Sequence, residues 1–169
     1  MKSILLFRHG KSNWKAQYDN DHERPLSKRG VKAAKLMGKY AFQIKQVPNK
    51  IISSTALRAK STAELAMKFG NWDSDLSLDS DIYHSSTETL RSIVARQDPN
   101  INYICLVGHQ PTFSFFLNEI TGENLLTFPT ASMAKINLTV DRWKEIEPGK
   151  GFLSWFKSPK ELMSFKTTV

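Results

Sequence analysis

The sequence predicts an α/β fold built on a largely parallel sheet. Three observations support this: short, nearly continuous apolar runs recur at 3–7, 50–53 and 102–107, helical apolar patterns lie between them, and helix-starting residues stand at the joins. An apolar run without polar alternation suits a strand covered on both faces, and strands alternating with helices suit a parallel sheet.

The first run, Ser-Ile-Leu-Leu-Phe at 3–7, passes straight into Arg8, His9 and Gly10. Ser27 is placed to cap a helix running to about Gln46, with Val31, Ala34, Leu36 and Met37 as its apolar positions. A strand at 50–53 and a helix over 56–69 follow. The interval up to about residue 102 has room for one more strand and a helix near 86–97. After the run ending in "CLVGH", Pro111 suits the first position of a helix, and "TFSFFLNEIT" continues it to Gly122. "SMAKINLTV" (132–140) and "GFLSWFK" (151–157) read as late strands, joined through Glu-Pro-Gly at 147–149 and paired antiparallel.

With 169 residues and no linker, repeat or low-complexity tract, one domain over 1–169 is expected. Apolar residues make up 40% and charged residues 24%, which excludes disordered and fibrous classes. The net charge of +8 points to anionic partners. The lysines are scattered through helices and turns, so solvated surface charge is the competing explanation, and no basic block of the kind used by nucleic-acid arms is present. Cys105, the single cysteine, lies in an apolar run and reads as a buried thiol in a reducing compartment. The apolar stretch in "MKSILLFRHG" is too short for a signal peptide, and no segment approaches a membrane span, so a soluble cytoplasmic protein is expected.

Parallel strands joined by right-handed crossovers bring their C-terminal ends to one edge, where ligands bind. That edge receives Arg8 and His9 from the first strand, Arg58 from the helix after the second, and His109 from the strand ending near 107. Two guanidiniums can fork onto a tetrahedral dianion, and an imidazole offers a nitrogen nucleophile near neutral pH. The combination suits phosphoryl transfer.

"RHG" (8–10), "RPLSKRG" (24–30), "SSTALRAKST" (53–62) and "LVGHQP" (106–111), in this order, resemble the histidine phosphatase (phosphoglycerate mutase-like) superfamily. By length and motif order the chain is most similar to its compact SixA-type phosphohistidine phosphatases. The resemblance covers nearly the whole chain. It implies a three-layer α/β/α sandwich with a mostly parallel central sheet, in which His9 is transiently phosphorylated while Arg8, Arg58 and His109 surround the phosphoryl group. Neither a cofactor nor a metal is implied, and no metal motif is visible. Thr55 stands where the family commonly has proline, a change a helix start tolerates.

The general acid is open. Asp21, three residues before Arg-Pro-Leu, is one candidate, and Asp79, Asp81 and Glu88 are others; His22 and Arg24 share the Asp21 loop and are candidates for substrate contact. The expected function is dephosphorylation of phosphohistidine on a signalling or phosphocarrier protein. The alternatives are a phosphatase for small phosphate esters or anhydrides, and a phosphate- or nucleic-acid-binding module without turnover. Mutase activity is disfavoured because the chain lacks length for lid insertions.

Overall fold

In the computed structural model, which describes residues 1–125 and 127–165, one six-stranded sheet organises the chain. Its strands are β1 (Ser3–Arg8), β2 (Lys50–Ser53), β3 (Asp75–Leu78), β4 (Tyr103–Gly108), β5 (Met133–Leu138) and β6 (Gly151–Lys157), in spatial order β3-β2-β4-β1-β5-β6. The first four are mutually parallel, with Leu5 opposite Cys105 and Ile51 opposite Cys105 on the other side. β5 runs antiparallel to both β1 and β6, as expected for the two late strands.

Among the described residues five helices cover the sheet: α1 (Lys28–Gln43), α2 (Leu57–Gly70), α3 (Thr87–Ala95), α4 (Thr112–Thr121) and α5 (Pro159–Phe165). Alternate strand residues separate into two cores. Ile4, Leu6, Ile104 and Leu106 pack with Leu90 and Ile93 of α3 and with Phe113 and Phe116 of α4. Leu5, Phe7, Cys105 and Val107 pack with Met37 and Ala41 of α1 and with Ala59, Ala63 and Ala66 of α2. Each of the central strands β1 and β4 is therefore buried on both faces, which is why their sequences are continuous apolar runs. The result is the three-layer α/β/α sandwich.

Ser27 caps α1 as its position suggests, its side chain accepting a hydrogen bond from the Gly30 N–H. That helix ends at Gln43 rather than near Gln46, because Lys45 turns left-handed (φ 58°) and the Gln46 N–H bonds back to the Ala41 carbonyl. α3 likewise stops at Ala95, two residues before the expected end. Pro111 stands at the cap of α4 rather than at its first turn, and the Gln110 side chain supplies the capping acceptor for the Ser114 N–H. α5 was not foreseen. Its seven described residues carry too little periodicity to announce it.

Two of the quoted motifs interlock. Ser27 N–H and Oγ both donate to the Lys11 carbonyl, and Asn13 N–H donates to the Pro25 carbonyl. This closeness needs glycine on both sides. A Cβ on Gly10 would lie 2.8 Å from the Gly30 oxygen, and one on Gly30 would lie 2.2 Å from the Lys11 oxygen. The glycines of "RHG" and "RPLSKRG" thus let the start of α1 sit directly on the loop that leaves β1.

Candidate active site

The carboxyl ends of β1, β2 and β4 meet at one edge of the sheet. His9 follows β1, and its backbone is held on both sides: its N–H donates to the Gly108 carbonyl at the end of β4, and its carbonyl accepts from the Ala131 N–H. The next amide, Gly10 N–H, donates to Thr62 Oγ1, which itself donates to the Arg58 carbonyl inside α2. These bonds leave the His9 backbone little freedom.

Its ring is also oriented. Nδ1 lies 2.7 Å from the Gly10 carbonyl, which can only accept, so Nδ1 carries the proton and the neutral ring keeps a lone pair on Nε2. The side chain is 7% exposed. Burial, assisted by the positive charges of Arg58, Arg8 and Arg24, brings its pKa down from 6.5 to about 4. The ring is therefore neutral, with a free nitrogen, throughout the neutral range.

Three guanidiniums surround it. Arg8 Nη1 donates to the Phe128 carbonyl at 2.8 Å, and desolvation lowers the Arg8 pKa. Arg58, in the first turn of α2 and 5% exposed, grips the Asp21 carbonyl (2.8 Å) and Oδ2 (3.1 Å). Arg24, 6% exposed, donates to Asp21 Oδ1 and lies 3.5 Å over the Trp14 ring. In all three the Nε–H is buried with no hydrogen-bond partner in the protein. Three desolvated cations with unused donors beside one imidazole form a receptor for a multiply charged oxyanion.

His109 faces His9 with ring centroids 5.2 Å apart. Its Nε2 is hydrogen-bonded to Ser54 Oγ at the end of β2 (2.8 Å), and Ser54 Oγ also accepts the Ala56 N–H at the entry to α2. Burial, together with the nearby His9 and Arg58 charges, pushes the His109 pKa down to about 3. Arg8, His9, Arg58 and His109 all line one broad cleft of about 2270 Å³.

The four acidic candidates separate. Asp21, in the turn Asp21–Glu23, is the hub of the cationic network, and Tyr83 Oη donates to its Oδ2 at 2.6 Å. The Tyr83 hydrogen bond and the Arg58 and Arg24 charges hold its carboxyl below the usual range. Asp81 is exposed in the turn Ser80–Ile82 and is not among the cleft-lining residues. The turn carries the Asp81 side chain to solvent, and Tyr83, at its end, reaches the cleft instead. Asp79 pairs with Arg96, and Glu88 is exposed on α3 outside the cleft. Arg24 joins the cleft, whereas His22 turns to Thr55, its Nε2 2.8 Å from Thr55 Oγ1. Thr55 therefore ties the Asp21 loop to the start of α2.

Sequence reading passed over Tyr83, Ser54 and Thr62. Ser54 and Thr62 sit inside the quoted "SSTALRAKST" motif and were legible as part of it; Tyr83 carries no local signal, since only folding brings it to Asp21. Among the described residues no cluster suited to holding a metal ion occurs, and no helix is long and apolar enough to cross a membrane.

Residues 4–82 match the family model described as histidine phosphatase superfamily (branch 1). An uncharacterized protein of Mycobacterium tuberculosis is 28% identical over 150 residues, covering 83% of this chain and 92% of that protein. Among solved structures, one assigned as the phosphohistidine phosphatase SixA of Agrobacterium tumefaciens is 27% identical with a TM-score of 0.79, covering 94% of this chain and 98% of that one. The protein histidine phosphatase SixA complexed with tungstate is 22% identical with a TM-score of 0.81, covering 95% and 99% of the two chains, and shows the shared fold.

Proposed function

Because the chain belongs to the histidine phosphatase superfamily, we propose that it is a phosphatase that works through a phosphorylated His9 and acts on phosphohistidine carried by a protein. The observation that carries this is the His9 ring, buried among three guanidiniums with its proton held on Nδ1 by Gly10. In the first step the Nε2 lone pair bonds to phosphorus as the bond from phosphorus to the leaving imidazole breaks, its electrons departing with the leaving nitrogen. In the second, water attacks the His9-bound phosphorus, the phosphorus–Nε2 bond breaks, and inorganic phosphate leaves with His9 restored. Arg8 and Arg58 neutralise charge on the equatorial oxygens in both steps, and the neutral His109 ring serves as a hydrogen-bonding group beside them.

Asp21 serves this reaction as an anchor rather than an acid. A carboxylate that accepts bonds from Arg24, Arg58 and Tyr83 is ionised at neutral pH and has no proton to give. A phosphohistidine whose distal nitrogen is protonated expels a neutral imidazole without one. An alkoxide leaving group does need a proton, so the site favours phosphohistidine over simple esters. The cleft supports a macromolecular substrate as well, being more than twice the roughly 300–1,000 Å³ usual for small-ligand pockets.

The test is to quench the enzyme during turnover and map the phosphate. An acid-labile, base-stable phosphoryl group on His9, absent from a folded His9→Ala variant that has lost turnover, is the expected result. A phosphoenzyme mapping elsewhere, or full activity in His9→Ala, would refute it.

A further inference from the structure

A row of positive charge runs along one wall of the cleft. Nine lysines and arginines line the cleft, with no aspartate or glutamate among its described lining residues. Three of them, Arg8, Arg24 and Arg58, belong to the phosphoryl site. The others extend away from it, chiefly along α1, where Arg29, Lys32, Lys35 and Lys39 recur at helical spacing on the face that lines the cleft. From Arg29 to Lys39 this row spans about 15 Å at the rise of an α-helix. α1 contains no acidic residue, and Arg29, Lys32 and Lys39 are exposed and form no ion pair among the described residues. Lys35 lies over the Phe69 ring at 4.2 Å; Arg29, Lys32 and Lys39 have no such partner among the described residues, and the alignment of the row is unfavourable within one helix unless an external anion offsets it.

Exposed apolar groups border the same cleft. Trp14 is 68% exposed with Arg24 over its ring, Phe115 on α4 is 61% exposed, and Met163 on α5 is 42% exposed. Aromatic and methionine side chains beside a charged rim are the composition of a protein-docking surface. A duplex phosphodiester backbone would answer the lysines but leave the apolar groups uncovered, and a single strand, whose bases stack on aromatic rings, is the competing occupant that titration decides.

We propose that the α1 wall is a docking track for an acidic helix of the phosphoprotein substrate, laid alongside α1 so that its phosphohistidine enters the cleft at His9. The proposal rests on the phosphatase reading above and adds the partner's surface chemistry: carboxylates on one helical face, within about three turns of the phosphorylated residue. The track acts before chemistry, raising the rate and fraction of productive encounters, and leaves the phosphoryl-transfer steps unchanged.

The probe is a designed four-helix bundle with one surface histidine, phosphorylated with phosphoramidate. It is made in two versions, with glutamates or with lysines one, two and three turns along the same helical face. At low salt the glutamate version should show kcat/KM at least about tenfold above the lysine version, the difference lying in KM, and the advantage should shrink to about twofold at high salt as the charges are screened. In a Lys32→Glu/Lys39→Glu variant the preference should vanish or invert, while kinetics on a generic aryl phosphate stay within about twofold of wild type, which also shows that the variant folds. Equal rates on the two bundles, or a preference unaffected by the double substitution, would overturn the proposal. A parallel binding titration uses the unphosphorylated glutamate bundle and a single-stranded oligonucleotide of matched charge. Tighter binding of the bundle, lost in the double variant, supports the track; tighter binding of the oligonucleotide overturns the assignment of a protein occupant. If wild type hydrolyses neither the aryl phosphate nor the bundles, the phosphatase reading fails, and the titration still decides whether the wall binds an acidic helix.

Discussion

Acidification should spare the nucleophile far below the pH at which an ordinary histidine stops working. With its pKa at about 4 rather than 6.5, His9 is about 97% neutral at pH 5.5, where an unperturbed ring would be about 9% neutral, so the competent fraction differs about tenfold. The assay is kcat/KM on an aryl phosphate from about pH 3.5 to 8 at constant ionic strength, with the substrate's own ionisation measured separately and divided out. The remaining acid limb should have its midpoint near 4. The same displacement has a stability consequence whose sign is set by burial of the neutral ring: the unfolded chain binds a proton near 6.5 and the folded one only near 4. Stability is therefore fully present above about pH 6.5, falls as pH drops between these values, and levels off below about 4, a loss on the order of 3 kcal/mol. His109, at about 3, adds a loss of the same sign. Urea midpoints at pH 7 and 4.5 should show wild type losing more stability than His9→Ala. An acid limb with its midpoint between 6 and 7, or equal losses in the two proteins, would refute the argument that burial among guanidiniums keeps this ring neutral.

Arg58→Lys keeps the charge but cannot hold both the Asp21 carbonyl and carboxylate or fork onto two phosphate oxygens, so the aryl phosphatase rate should fall at least about tenfold, or ~1.4 kcal/mol; kinetics near wild type would remove Arg58 from the clamp. Asp21→Asn should lower kcat by a similar factor, about three- to tenfold, for substrates with good and poor leaving groups alike, as an anchor's loss would. A fall of about a hundredfold or more confined to poor leaving groups would restore Asp21 as the acid. Gly30→Ala places a methyl 2.2 Å from the Lys11 oxygen and should cost about 1–3 kcal/mol in chemical denaturation while reducing turnover; an unchanged midpoint would show that the contact between the two motifs is slack.

Much of this protein could be read directly from its order of residues. β1, β2, β4 and β6 are apolar or alternating runs whose period alone marks them, and Ser27 marks the start of α1 because a cap is a local interaction between a side chain and an amide three residues on. Arg8, His9, Arg58 and His109 were legible for a related reason: Arg8 closes a strand, His9 and His109 follow one, Arg58 opens the helix after one, and a parallel sheet gathers such positions at one edge. Other features depend on contacts between segments far apart in the chain. Tyr83 meets Asp21 across 62 positions, and Ser54 meets His109 across 55, so neither pairing leaves a trace in local periodicity. Asp21 and Asp81 are equivalent carboxylates in sequence; one becomes the hub of two cations and a tyrosine and the other makes no ion pair among the described residues, because electrostatic environment is a property of the folded neighbourhood. The net charge of +8 was countable from the start, yet the acid-free row of bases along one cleft wall appeared only when α1 was laid beside the carboxyl edge of the sheet. Local periodicity and capping are written in neighbouring residues, whereas pKa, ion pairing and surface potential are sums over everything nearby in space, and only the tertiary fold determines what is near.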